Sequence, residues 1–249
     1  MSQSVRRAIS LVQRSAAGPL SLTEAARLLD VHKSTALRLL QTLESARFVR
    51  RTGAGTYVFG GGLIELSELT LGSMDLRQHA HRLLRELQRR TGHTVHMAQR
   101  TGDEIIYIDK VDSPAHRGFN LPSRVGNAVS IHASAVGKVI LAHLPREDRE
   151  RLLSYVTLER HTATTITDRD AFEVELASVR HRGWAADDGE HDSYIACVAV
   201  PVRDPRGQVV AAISVSSVEA VAPLSQLEEN LPALLATARG VSAELGHAQ

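Results

Sequence analysis

The sequence predicts an α+β protein in two parts: a small N-terminal winged helix-turn-helix and a larger body of mixed helices and strands. Three observations lead there. The first 60 residues read, in order, as helix, capped helix, tight turn, helix and hairpin. The charge is divided. Through residue 60 nine lysines and arginines face three acids, a head of +6, and the whole-chain totals of 29 basic and 28 acidic residues leave the rest at −5. From residue 76 onward, short strand patterns alternate with helical ones. A basic head on an acidic body points to a polyanion at one end only.

The head builds up as follows. Residues 4–16 place Val5, Ala8, Ile9, Val12 and Ala16 at helical spacing, and Gly18-Pro19 ends that helix. Ser21-Leu22-Thr23-Glu24 is a capping box, in which the serine hydroxyl takes the Glu24 amide and the carboxylate reaches back. Ala25, Ala26, Leu28 and Leu29 form the packed face of the helix it opens. Asp30-Val31-His32 is the turn. A third helix, Lys33 to about Ala46, turns Ala36, Leu37, Leu40 and Leu43 inward and Lys33, Ser34, Thr35, Arg38 and Gln41 outward. Phe48–Arg51, a glycine-containing turn and Thr56–Phe59 make a hairpin, the wing.

Residues 61–72 read as a linking helix between glycines, with apolar positions able to pair with a second copy. Leu76–Thr91 is a long amphipathic helix with Leu83, Leu84 and Leu87 inward. Strands are expected at Thr94–Gln99, Glu104–Val111, Ala196–Arg203 and Gln208–Val218, and helices at Ala133–His143, Arg146–Tyr155, Arg169–Arg182 and Leu224–Leu245. The expected division is 1–60, 61–75 and 76–249. Hydrophobic residues at 43% and charged residues at 23% suit a globular chain. No apolar run approaches a membrane span of about 18 residues, and none follows Arg6-Arg7 as a secretory signal requires. The single cysteine, Cys197, cannot close an internal disulfide, which fits a reducing cytoplasm.

Several segments, taken together and in order, resemble the IclR family of bacterial transcriptional regulators. In the head these are Val31–Leu40, Arg50-Arg51 and Tyr57-Val58-Phe59-Gly60. In the body they are Ser123–Gly126, Ile131–Lys138, Thr165–Asp168, Arg182–Ala185, Cys197–Val202 and Ala212–Ser216. The resemblance runs over nearly the whole chain. It implies a GAF-like body with a curved antiparallel sheet and a pocket for a small organic effector. Two positions depart from the family pattern. Asp30 stands where glycine is usual in the turn, and aspartate tolerates a left-handed backbone. Tyr194 stands where glycine is usual before Cys197, and a phenol there reshapes or narrows the pocket.

The head chemistry suits DNA. Lys33, Ser34 and Thr35 lie at a helix N-terminus, which favours phosphate. Arg38 lies one turn on, within reach of a base edge, and Gln41 shares that outward face. Arg50 and Arg51 on the wing are candidate phosphate contacts. In the body, Ala133–Gly137 opens a helix with small side chains that let a ligand approach the backbone. By the resemblance, the amides of Ala135 and Val136 meet a ligand carboxylate or carbonyl. Ser214 and Ser216, two apart, share one strand face. Asp187, accepting from a ligand hydroxyl, completes the wall with Tyr194, Ile195 and Cys197; Leu121 and Val129 are the apolar cover.

Ser134, His132, Asp187 and Cys197 supply catalytic residue types, but Ala133–Gly137 lacks the first glycine of a nucleophile elbow, and there is no Gly-rich phosphate loop or HExxH. An enzyme is not expected. Two metal sets, His93 with His96 and His132 with His191 and Cys197, lack a recognised ligand spacing. The expectation is therefore a cofactor-free, cytoplasmic transcriptional regulator. It binds a pseudo-palindromic double-stranded operator as a homodimer or tetramer, responds to a small organic carboxylate or carbonyl compound, and has no membrane partner.

Overall fold

A computed structural model of the chain describes residues 2–72, 75–113 and 121–247. The chain divides into two compact units, Met1–Met74 and Asp75–Gln249.

The first unit contains α1 (Gln3–Ala16), α2 (Leu22–Leu29), α3 (Lys33–Ser45), β1 (Val49–Arg51), β2 (Tyr57–Phe59) and α4 (Gly61–Gly72). The capping box at α2 is complete: Ser21 Oγ accepts from the Glu24 amide at 3.2 Å and Glu24 Oε2 from the Ser21 amide at 2.8 Å. The Ser21 amide and the Ser21 hydroxyl, which also donates to Glu24 Oε2 at 2.7 Å, hold the Glu24 carboxyl below its usual range. Asp30 closes the helix with φ 50°, the left-handed turn expected of it. Leu11, Leu20, Ala25, Ala36, Leu40, Leu43, Val49 and Tyr57 form the core.

Two packed faces differ from the sequence reading. On α1 the inward residues are Ala8, Leu11, Val12 and Ser15, while Val5, Ile9 and Ala16 point to solvent. The helical spacing holds, but the packed stripe runs through Leu11 and Ser15 and not through Val5 and Ile9. On α2, Leu28 is half exposed, while Ala25 and Ala26 are buried and Leu29, with Leu22, packs partly buried against the same core. A contact with no sequence signal joins Leu20 to Tyr57, whose amides and carbonyls exchange two 2.8 Å bonds and extend the wing.

The second unit begins with α5 (Asp75–Thr91), β3 (Thr94–Thr101) and β4 (Glu104–Val111). It continues with α6 (Ala135–His143), α7 (Arg146–Tyr155), α8 (Arg169–Arg182) and β5 (Ala185–Asp188), and ends with β6 (Ile195–Arg203), β7 (Val209–Val218), α9 (Leu224–Glu228) and α10 (Leu231–Glu244). The five strands form one antiparallel sheet in the order β4-β3-β7-β6-β5. Alternation gives it two buried faces. Val95, Met97, Val198, Val200, Ile213 and Val215 share one face, and α5 and α10 pack on the sheet. Ala98, Ala185, Ala199 and Ala212 lie on the other, in one core with Val136, Val139 and Ile140 of α6 and Phe172 and Leu176 of α8. Small alanines bring α6 close to the sheet.

β5 was not foreseen, since Ala-Ala-Asp-Asp carries little strand propensity. The single helix expected over Leu224–Leu245 is two helices. Pro232 has no amide hydrogen and clashes with the preceding turn, so α10 starts afresh with proline in its first turn.

Candidate effector cavity and nucleic-acid interface

In the first unit, Lys33, Ser34, Thr35, Arg38 and Gln41 are all exposed on α3. His32 at the N-cap gives no side-chain hydrogen bond. The leading amides therefore have no capping side chain and stand beside Lys33, an arrangement suited to a phosphate oxygen. Arg50 and Arg51 are exposed on β1, where Val49 marks the core side. Successive strand residues project to opposite faces, so the two arginines point to opposite sides of the hairpin. Arg51 is further held through its amide, which donates to Glu44 Oε1 at 3.1 Å.

The second unit holds a partly open cavity of about 200 Å³ between the sheet and α6. Nine of the ten residues expected at an effector site line it: Leu121, Val129, Ala135, Val136, Asp187, Ile195, Cys197, Ser214 and Ser216. Ser214 and Ser216 face inward from β7, both nearly fully buried. Cross-strand register sets Ser214 between His96 and Ala199, and Ser216 between Thr94 and Cys197. The Cys197 thiol donates to Ser216 Oγ at 3.0 Å.

α6 closes the cavity with its N-terminal end. Ser134 caps it, accepting from the Gly137 amide at 3.1 Å. The helix starts this close because position 137 is glycine; a Cβ there would lie 2.4 Å from the Ile131 carbonyl oxygen. Ala135 and Val136 thus enter the cavity wall as the first two helical residues. Opposite, Asp187 Oδ1 accepts from the Glu190 amide at 2.7 Å. Burial pushes the Asp187 carboxyl up to about 7, against the pull of that hydrogen bond and of the Lys138 charge.

Tyr194, the tenth expected residue, does not line the cavity; its side chain is 73% exposed. Its amide donates to Asp192 Oδ1 at 3.0 Å and its carbonyl accepts from Glu219 at 2.8 Å, which fixes it in a turn. Ile195, one residue later, takes the inward phase.

The sequence reading missed His96, Tyr107, Ser123, Asn127 and His191 among the lining residues. His96 is 2% exposed, its ring 4.9 Å from that of Tyr107. It hydrogen-bonds Ser123 Oγ at 2.7 Å through Nε2 and Ser216 Oγ at 3.3 Å through Nδ1. Burial, with the Lys110 charge nearby, drives its pKa down to about 3, so the ring is neutral. A histidine between Val95 and Met97, in the apolar middle of the strand, was the signal available. Burial likewise raises the Tyr107 phenol and the Cys197 thiol, keeping both protonated at neutral pH.

Ser134 Oγ is occupied as a cap and donates to the Ser130 carbonyl at 2.6 Å, and His132 Nε2 meets the Glu159 carbonyl at 2.9 Å. Among the described residues no group of three or more histidine, cysteine or acidic side chains is placed to hold a metal ion. Nor, among these residues, is any helix long and apolar enough to cross a membrane.

Both units match known families. Residues 4–53 match the IclR helix-turn-helix domain, and residues 68–243 match the bacterial transcriptional regulator IclR C-terminal family. The chain belongs to the IclR family. Among its relatives, the HTH-type transcriptional regulator XynR of Escherichia coli is 35% identical over 218 residues, 86% of each chain. The crystal structure of Thermotoga maritima IclR superposes with a TM-score of 0.86 at 33% identity over 98% of both chains. An IclR homologue from Microbacterium hydrocarbonoxydans, complexed with 4-hydroxybenzoate, gives a TM-score of 0.81 at 27% identity, covering 98% of this chain and 99% of that one. This IclR-family protein is a transcriptional regulator with an N-terminal DNA-binding helix-turn-helix and a C-terminal effector-binding domain.

Proposed function

We propose that the effector is a small organic carboxylate or carbonyl compound held in the cavity between α6 and the sheet. The observation that carries this is the convergence of Ser214 and Ser216, Asp187 and the leading residues of α6 on one small cavity. The 4-hydroxybenzoate of the Microbacterium homologue supports an organic acid. Leu121 and Val129 cover the site, and no cofactor takes part. The effector changes operator affinity by favouring one arrangement of paired heads. A cytoplasmic homodimer, or a pair of dimers, reads a pseudo-palindromic operator with Lys33, Ser34, Thr35, Arg38 and Gln41, while Arg50 and Arg51 hold phosphate from the wing. Residues 1–60 are the reader, 61–75 the transmitter and 76–249 the sensor; the protein does no chemistry on its ligand. The test is a thermal-stability screen of small organic acids on the full chain, followed by operator binding with each acid that raises the melting temperature. An acid that stabilises the protein and shifts operator affinity supports the reading; stabilisation without any effect on DNA binding refutes it.

A further inference from the structure

A carboxylate in this cavity needs its charge balanced, and the following inference rests on the effector reading above. Among the described residues, neither lysine nor arginine lines the cavity. Lys110 is committed elsewhere: its ammonium donates to the carbonyls of Leu121 at 3.0 Å and Ser123 at 2.8 Å and pairs with Asp112 at 2.8 Å. Lys138, in the second turn of α6, is 1% exposed and already paired with Glu190. One buried ammonium thus serves two buried carboxyls. Asp187 lines the cavity, and Glu190 is tied to it through its amide. Glu190 Oε2 is buried and has no hydrogen-bond partner. A ligand anion brings a third negative charge into a space too small to hold it far from the other two, where charge repulsion is weakly screened.

We propose that a carboxylate ligand binds together with one proton, which the Asp187–Glu190–Lys138 cluster takes up. Beyond the partial positive charge of the α6 N-terminus, the described residues around the cluster offer no further cation. Glu175 on α8 and Asp188 add negative charge at Glu190. Tyr107 on β4 and Cys197 on β6 are held neutral by burial. His191, at the cavity wall, is also pushed toward its neutral form by burial and by His161. Asp187, already raised to about 7 without ligand, is the group closest to taking a proton. The sign follows. A bound anion raises the carboxyl further, so affinity is level below about 7 and falls as pH rises above it, by up to about tenfold per pH unit. A site in which ionised Asp187 accepts from a ligand hydroxyl shows the opposite trend.

The test uses the full chain and matched probes: acetate, butyrate, benzoate and phenylacetate, each against its neutral amide, titrated by calorimetry from pH 6 to 9. The carboxylates should weaken about tenfold per unit above pH 7. Near pH 8.5, heats compared in two buffers of different ionisation enthalpy should show close to one proton taken up per carboxylate bound. The amides should bind with no pH trend and no proton. Asp187→Asn should flatten the carboxylate trend, and Glu190→Gln, which frees Lys138 to balance the ligand, should lower the uptake. Should either variant fail to fold, the parent's buffer comparison decides alone. Carboxylate binding without proton uptake, or affinity that rises with pH, overturns the proposal and leaves the effector site standing. Failure of every probe at every pH overturns both.

Discussion

Ser216 sits between Cys197 and His96, accepting from the thiol at 3.0 Å and meeting the imidazole Nδ1 at 3.3 Å. Three strands, β6, β7 and β3, therefore meet in one hydrogen-bonded chain at the cavity floor, and Ser123 extends it at 2.7 Å into the segment that precedes α6. A neutral imidazole has one donor and one acceptor, so the ring satisfies both serines at once. His96→Leu should leave both hydroxyls short of a partner in a buried site, at a cost of about 1–3 kcal/mol by urea unfolding. Unchanged stability would mean that the chain contributes nothing to the fold.

At the DNA-binding end, Arg38 and Arg50 should separate. Arg38→Ala should cost about 1–3 kcal/mol on the operator and relax specificity at one base position. Arg50→Ala should weaken binding to all sequences alike and make the salt dependence shallower. Anisotropy against operator and random duplexes checks both, and equal loss on the two duplexes for Arg38→Ala would contradict its assignment to a base.

On α4, Ile64 is 56% exposed, an apolar side chain that the first unit does not cover. If α4 pairs with a second copy, Ile64→Glu should shift the mass measured by light scattering toward monomer and weaken operator binding at least tenfold, because the second half-site loses its tethered reader. A variant of unchanged mass and affinity would remove α4 from the interface.

The close approach of α6 depends on Gly137. Alanine is the better helix former, yet its Cβ would lie 2.4 Å from the Ile131 carbonyl oxygen and 2.7 Å from that of Ser130. Backbone cannot yield as a side-chain tip does, so Gly137→Ala should destabilise by about 1–3 kcal/mol. Equal or higher stability in urea would show that the helix start is free to shift.

Part of the site was legible from local pattern: Ser214 and Ser216 were found because a period of two puts them on one face, and the capping box at Ser21 because it is a local rule. The roles of Ala135 and Val136, the rest of the cavity wall and the attention to Asp30 came from the family resemblance. The misreadings lie where no local rule applies. Tyr194 is in a turn whose bonds to Asp192 and Glu219 set its direction, and neither bond has a sequence signature. Val5 and Ile9 repeat every four residues as well as Leu11 and Ser15 do, and only the packing of α1 against α3 and the wing chooses between the stripes. Ser123 and Asn127 come from irregular chain, where nothing in the pattern announces a cavity wall.

The claim that a ligand between α6 and the sheet governs DNA binding is tested most directly by Ser214→Ala/Ser216→Ala. The measurement is operator anisotropy, on the site found by footprinting, with each acid that stabilises the parent protein. The account predicts that the ligand concentration needed to shift operator affinity rises roughly 10- to 100-fold, since hydrogen bonds to a charged group are worth about 1.5–3 kcal/mol each and neighbours are not additive. A double variant that binds operator and answers the ligand at the parent's concentration would contradict it.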